Sequence, residues 1–76
     1  MTSDNIFGKR IRELRLQHNM TQQQLGAEIG LSKQAINDIE QGRRETKIYR
    51  AIAIAKLFDT TVEYLAGVTD NSSRIE

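Results

Sequence analysis

The 76-residue sequence predicts an all-α protein, a compact bundle of five short helices. Apolar residues recur at helical spacing, as at Phe7, Ile11 and Leu14, in five successive segments. Proline is absent, and strong helix formers such as Ala, Leu, Gln, Glu, Arg and Lys dominate the composition. No alternating run of apolar and polar residues is long enough to predict a strand.

The segments have residues that can cap the start of a helix and residues that can end one. The predicted starts are Ser3 or Asp4, Thr21, Ser32, Thr46, and Thr60 or Thr61. For four of the segments, the predicted ends are His18 with Asn19, Gly30, Gly42 and Gly67. Thr21 and Gln24 also have the spacing of a capping box, which strengthens the prediction for the second helix.

The apolar positions of these segments are the candidate core. In segments two, three and five they are Leu25, Ile29, Ile36, Ile39, Val62 and Leu65. The apolar stripe of segment four comprises Ile48, Ile52, Ala55 and Phe58, widened by Ala51 and Ile54. A helix that is apolar nearly all round belongs at the centre of a fold. Segment four is therefore the predicted central helix.

The composition excludes several classes of protein. The chain has no Cys and a single His, so we expect no disulfide framework, no thiolate nucleophile, no metal site and no cofactor. No apolar run approaches the roughly 20 residues of a membrane span, so no membrane association is expected. No nucleophile–base pair or phosphate-binding loop is visible, so we do not expect an enzyme. The default expectation is a soluble, cytoplasmic protein.

The stretch from Gln22 to Gln41, QQQLGAEIGLSKQAINDIEQ, predicts two short helices joined by a turn of about three residues. Two helices that cross steeply need a small residue at their contact, which Gly26 supplies, and the turn needs a residue free to take positive φ, which Gly30 supplies. The outer face of the second of these helices then carries Ser32, Lys33, Gln34, Asn37, Asp38 and Gln41. In a major groove Lys hydrogen-bonds guanine, and Gln and Asn hydrogen-bond adenine.

These residues resemble the helix-turn-helix domain of phage repressors, Cro proteins and their bacterial relatives, the Cro/C1-type family. The resemblance covers roughly residues 5–67 and is carried by GKRIRELR, MTQQQLGAEIGLSKQAINDIEQGRR and IAIAKLFDTTVEYLAG. It implies a lambda-repressor-like five-helix fold with a DNA-binding domain at residues 1–68, in which residues 32–41 form the recognition helix. The polar residues 69–76 are then expected to be a frayed tail or the start of a linker.

The resemblance also assigns roles to individual positions. The implied base contacts are Lys33, Gln34, Asn37 and Asp38. The implied contacts to the DNA backbone are Thr21, Gln22, Ser32, Arg43, Arg44 and Lys47. Arg15 and Glu40 match an ion pair that ties the first helix to the third.

Three residues depart from the pattern of the family. Gly26 stands where many relatives have Ala, which costs up to about 1 kcal/mol of helix propensity. Thr46 stands where many relatives have Pro. Asp38 is unexpected on a helix that faces phosphates, and two roles stay open for it: it accepts a hydrogen bond from cytosine N4, or it pairs with Lys33 or Arg43 and stays off the DNA.

The implied function is transcription regulation, in the first place by a repressor that binds a palindromic operator in double-stranded DNA. The protein would bind as a homodimer, with one recognition helix in each of two successive major grooves about 34 Å apart. The alternative is an antitoxin or adaptor that uses the same fold chiefly to bind a protein partner. The sequence identifies neither the operator sequence nor an inducer or protein effector.

The net charge of +1 is the sum of two unlike parts of the chain. Residues 1–58 hold ten Lys and Arg against six Asp and Glu, a net of +4, whereas residues 59–76 hold one Arg against four acids, a net of −3. A basic face is the electrostatic footprint of a groove-binding domain. We therefore expect the first part of the chain to meet the phosphates and the C-terminal part to face away from them.

Overall fold

Five helices and no strand are found in the computed structural model, which describes residues 5–73. The helices are α1 (Ile6–Gln17), α2 (Gln22–Ile29), α3 (Lys33–Glu40), α4 (Ile48–Leu57) and α5 (Val62–Ala66). The predicted all-α, five-helix architecture is confirmed. Within the described range, none of these helices is both long and apolar enough to cross a membrane.

The core lies where the helices converge: α2 packs on α3, α1 packs on α3 and α5, and α4 packs on α5 and α2. It is built from Ile11, Leu14, Leu25, Ile36, Ile39, Ile54, Ala55, Phe58 and Leu65. Burial of one large apolar side chain contributes about 1.5–3 kcal/mol. Because every helix supplies at least one of these residues, no helix can leave the bundle without exposing part of the core.

The connection between α2 and α3 requires a glycine at Gly26. A Cβ atom added there would collide with the carbonyl oxygen of Leu31, so the turn can close against α2 only where no side chain intervenes. The Leu31 amide donates to the Gly26 carbonyl over 2.8 Å, and Gly30 takes the predicted positive φ, at 78°. Ser32 then caps α3, because its hydroxyl accepts from the Ala35 amide over 3.1 Å. The predicted helix–turn–helix geometry is confirmed.

The start of α2 uses the predicted capping box. Gln24 N donates to Thr21 Oγ1 over 3.0 Å, and Thr21 N donates to Gln24 Oε1 over 2.8 Å. Each residue thereby satisfies a backbone N–H group of the other, which would otherwise lack a partner at the helix end. The boundary of α2 is therefore set by these two side chains.

The N-cap of α1 is Asn5, whose side chain accepts from the Gly8 amide over 3.3 Å. Asn5 has a φ of 46°, a left-handed conformation that Asn tolerates because its short polar side chain bonds locally. The helix accordingly begins at Ile6. The predicted caps, Ser3 and Asp4, lie outside the described residues.

Helix α4 differs from the prediction in its start and in its buried face. It begins at Ile48, with no side-chain cap, and Thr46 caps nothing, because its buried hydroxyl has no hydrogen-bond partner among the described residues. Ile48 and Ile52, predicted for the core, are 65% and 41% exposed. The buried stripe follows a single helical face and consists of Ala51, Ile54, Ala55 and Phe58. The prediction that α4 is a central helix, buried nearly all round, is therefore wrong. Helix α4 buries one face and leaves apolar residues exposed on another.

The segment after α5 is held against the bundle as far as it is described. Arg10 of α1 donates to the Thr69 carbonyl over 2.7 Å and to Asp70 Oδ1 over 2.7 Å. The Thr60 hydroxyl donates to the Ser72 carbonyl over 2.7 Å. Residues 69–73 thus contact Arg10 of α1 and Thr60, and residues 74–76 lie outside the described range.

Candidate nucleic-acid interface

The outer face of α3 begins with two exposed side chains, Lys33 and Gln34, in the first helical turn. Ile36 and Ile39 anchor the inner face of the same helix in the core. Because the helical period turns residues 33 and 34 away from that anchor, both side chains extend into solvent. A cation and an amide thus lie next to each other at the N-terminal end of an exposed helix face.

Asp38 lies one helical turn after Gln34 and binds two neighbouring side chains. Gln34 Nε2 donates to Asp38 Oδ1 over 3.0 Å. Arg43 Nη2 and Nε lie 3.2 and 3.4 Å from the same oxygen. The sequence left two roles open for Asp38, a contact to cytosine or an ion pair with Lys33 or Arg43. The structure contains the pair with Arg43 and also a hydrogen bond from Gln34.

Arg43 reaches Asp38 because of the way α3 ends. Gly42, with a φ of 80°, reverses the chain, so that the Arg43 amide donates to the Asp38 carbonyl over 2.8 Å and the Gly42 amide donates to the Ile39 carbonyl over 3.1 Å. These two bonds form a Schellman motif. Any other residue at position 42 would be strained at this φ, and its Cβ would lie 2.8 Å from the Asn5 side chain. The backbone therefore places Arg43 next to Asp38.

A second network lies on the buried side of α3 and joins it to α1 and α2. Arg15 binds both carboxylate oxygens of Glu40: Nε lies 2.6 Å from Oε2, and Nη2 lies 3.1 Å from Oε1. Gln22 Nε2 donates to Glu40 Oε1 and to Asn37 Oδ1, each over 3.1 Å. The side chains of Arg15 and Glu40 are only 9% and 1% exposed. Because a buried charge needs hydrogen-bonded partners, Arg15 and Gln22 make the burial of Glu40 tolerable.

The side chains of Gln22 and Asn37 are thus turned toward each other, although the sequence suggested separate contacts to DNA for them. Both N–H groups of the Gln22 amide are engaged within the protein. At this end of α2, backbone N–H groups of the first helical turn remain as donors for an external ligand. The hydroxyl oxygens of Thr21 and Ser32 also bind within the protein, because each accepts from a backbone amide of the helix that it caps.

The loop after α3, which we call the cationic loop (residues 43–47), has three exposed cationic side chains: Arg43, Arg44 and Lys47. Arg50, three residues after Lys47, is turned inward. Its Nη1 donates to the Ile29 carbonyl over 2.7 Å, at the end of α2. Arg50 therefore ties α4 to α2.

Asn5 also supports the candidate site, and the sequence did not single it out. Its Nδ2 donates to the carbonyl of Glu40 over 3.0 Å, so one side chain caps α1 and binds the end of α3. The two residues are 35 positions apart. The local signal was only that Asn is a common N-cap residue, which says nothing about the distant contact.

The described residues do not form a metal centre: within 5–73 there is no group of three His, Asp or Glu side chains placed to hold an ion. The polar side chains on and next to the outer face of α3 include amides, cations and the carboxylates of Asp38 and Glu45. Such groups recognise hydrogen-bonding edges and anionic phosphates.

The helix-turn-helix family model matches residues 11–65, from within α1 to within α5. The chain belongs to this helix-turn-helix family, in its Cro/C1-type branch. Members of the family are DNA-binding regulators and not enzymes. The resemblance stated from the sequence is thereby confirmed.

Several similar proteins are named as uncharacterized HTH-type transcriptional regulators. YobD of Bacillus subtilis (strain 168) is 30% identical over 66 residues, which are 87% of this chain and 59% of YobD, so the chain spans less than two thirds of that relative. A regulator of Methanocaldococcus jannaschii is 35% identical over 54 residues, 71% of this chain and 82% of the relative. The crystal structure of the P22 c2 repressor in complex with synthetic operator 9T in the presence of Tl+ is similar, with a TM-score of 0.74 and 30% identity. The match covers 78% of this chain and 89% of the repressor chain in that structure.

Proposed function

We propose that this chain is a sequence-specific, double-stranded DNA-binding transcription regulator, and specifically a repressor that binds a palindromic operator as a homodimer. The observation that carries the proposal is the exposed face of α3, where Lys33 and Gln34 extend outward and the cationic loop follows. The similarity to a repressor whose structure was determined with operator DNA supports it. The proposed DNA-binding domain comprises residues 1–68, and residues 69–76 are a polar tail or the start of a linker.

Base reading is assigned to the outer face of α3. Lys33 suits the acceptor groups N7 and O6 of guanine, and Gln34 suits the donor and acceptor of adenine. Asn37 retains its amide nitrogen for a base edge, because its oxygen accepts from Gln22. These contacts supply the choice of site, whereas contacts to phosphate supply much of the affinity.

Phosphate binding is assigned to the cationic loop and to the N-termini of α2 and α3. Helix N-termini present backbone N–H groups and positive partial charge to an anion. Thr21 and Ser32 stand at these two ends. Because the side-chain amide of Gln22 is bound to Glu40, we assign the contribution of Gln22 to its backbone N–H group.

The short length of the recognition helix supports the proposed homodimer. An eight-residue helix meets only a few base pairs, whereas a two-fold dimer reads two half-sites about 34 Å apart. We assign the contact between copies to the exposed apolar side of α4, where Ile48 and Ile52 lie one turn apart. Ile48 directly follows the cationic loop, so the second copy is seated next to the DNA. Such a dimer represses by occluding a promoter. The protein is cytoplasmic, bacterial or phage-encoded, and nucleoid-associated when it is bound to DNA.

Selection of bound sequences from a random pool of double-stranded DNA tests this function. We expect a palindromic consensus with half-sites one helical turn apart. Gln34→Ala should then weaken binding to the selected operator by roughly 1–3 kcal/mol and leave binding to random DNA nearly unchanged. Gln17→Ala, at an exposed glutamine of α1, is the matched control and should change neither.

Two results would count against the proposal. Equal losses on operator and random DNA would remove Gln34 from the base contacts. Absence of DNA binding even at low salt would overturn the regulator function and favour the antitoxin or adaptor role, in which the exposed apolar residues of α4 bind a different protein.

A further inference from the structure

We propose that Asp38 sets the base specificity of α3 without touching a base: it holds the Gln34 amide in the orientation that reads adenine. This inference rests on the proposed function, because it concerns how the same helix face selects its operator. Gln34 is the residue that contacts the base, and Asp38 is a positioning residue.

The hydrogen bond between Gln34 and Asp38 fixes which end of the amide is turned toward the protein. Gln34 Nε2 donates to Asp38 Oδ1 over 3.0 Å. An ionised carboxylate only accepts hydrogen bonds, so the amide oxygen of Gln34 cannot take that place. One N–H group is thereby occupied. One N–H group and the carbonyl oxygen of the amide are left for an external partner.

The groups left on Gln34 match adenine and not guanine. In the major groove adenine presents N7, which accepts a hydrogen bond, and its N6 amino group, which donates one. One N–H group and one carbonyl oxygen bind these two groups together. Guanine presents two acceptors, N7 and O6, and brings one of them against the carbonyl oxygen of Gln34. An amide that is free to turn both N–H groups outward loses this distinction.

Arg43 keeps Asp38 in place and offsets its charge. The guanidinium shares Asp38 Oδ1 with Gln34, and the Schellman motif that ends α3 fixes the backbone of Arg43 next to Asp38. The Asp38 side chain is 28% exposed and the Arg43 side chain 57%, so the cation is the outer member of the pair. A phosphate therefore meets Arg43 first, and three of the five guanidinium N–H groups remain for it.

The test compares the wild-type chain with Asp38→Ala and Asp38→Asn on four versions of the selected operator. The four versions differ only at the base pair read by Gln34, which is the base pair where Gln34→Ala abolishes discrimination. The wild-type chain should prefer adenine over guanine there by about ten- to a hundredfold, and both Asp38 variants should reduce the preference to within about threefold. Asn at position 38 has this effect because an amide donates as well as accepts and permits either orientation of Gln34.

Controls separate positioning from a general loss of binding or folding. Discrimination at all other base pairs should be unchanged in both Asp38 variants. Adding Asp38→Ala to Gln34→Ala should cause no further change in base preference, because Asp38 acts through Gln34. Glu28→Gln removes an exposed carboxylate elsewhere and should leave every preference as in the wild type. Thermal melting should show folded variants, since exposed ion pairs contribute little to stability.

Two outcomes would overturn this inference, and a third would overturn the proposed function. An unchanged preference for adenine in both Asp38 variants would overturn the inference. Loss of discrimination at a different base pair, where the wild type selects cytosine, would also overturn it and make Asp38 itself a base contact. A wild-type chain that selects no operator would instead overturn the proposed function.

Discussion

Arg15 and Glu40 form an ion pair that joins α1 to α3 across 25 residues of sequence, with 2.6 Å between Arg15 Nε and Glu40 Oε2. Among the ion pairs of residues 5–73 it is the one most removed from water. Glu40 has two further partners, because Gln22 binds its carboxylate and Asn5 binds its backbone carbonyl. The end of α3 is therefore fixed to both helices that precede it.

Glu40→Ala should lower the free energy of unfolding by about 3–5 kcal/mol, because it leaves Arg15 buried without its charged partner. Urea unfolding followed by circular dichroism measures the change. Glu28→Ala removes an exposed carboxylate from α2 and should stay within about 0.5 kcal/mol of the wild type. A Glu40→Ala chain as stable as this control would show that the pair does not hold α3 in place.

Gly26→Ala separates helix propensity from packing. Propensity alone predicts a gain of about 1 kcal/mol. The added Cβ, however, would collide with the carbonyl oxygen of Leu31, a backbone atom that cannot move without opening the turn. We therefore expect a net loss of about 1–3 kcal/mol in thermal unfolding.

The neighbouring residue supplies the control for this prediction. Ala27 is exposed in the same helix, so Ala27→Gly should lose about 1 kcal/mol from propensity alone. A stabilised Gly26→Ala chain would show that the turn after α2 relaxes at little cost.

Several helix ends could be predicted from the sequence because their signals act locally. Thr21 bonds an amide three residues away, Ser32 does the same, and Gly42 takes the positive φ that ends α3. A few consecutive residues contain all the information that such a cap needs.

The parts that could not be predicted depend on distant segments. Ile48 and Ile52 lie at core spacing, and only the packing of the other helices decides which arc of α4 is covered. The bond from Asn5 to Glu40 has no local signal. The role of Asp38 could be predicted in part. The chemistry of a carboxylate limits Asp38 to a few roles, and the turn after α3 selects one of them because it brings Arg43 next to Asp38.

Arg43→Ala should weaken binding to both operator and random DNA and reduce the dependence of log K on log salt by about one, because each phosphate contact releases counterions. Titrations at several salt concentrations measure this slope. Lys56→Ala removes an exposed cation from the last turn of α4 and should leave the slope unchanged. An unchanged slope for Arg43→Ala would remove Arg43 from the proposed phosphate contacts.

Ile48→Gln should weaken binding to the full operator and leave binding to a half-site unchanged. Ile48 is 65% exposed, so the substitution spares the core, but it replaces apolar surface assigned to the contact between two copies. The measurement is the ratio of affinities for full and half operators, with the stoichiometry from sedimentation. Leu16→Gln, the same replacement at an exposed apolar residue of α1, should keep the wild-type ratio. A wild-type ratio in Ile48→Gln would place the contact between copies elsewhere.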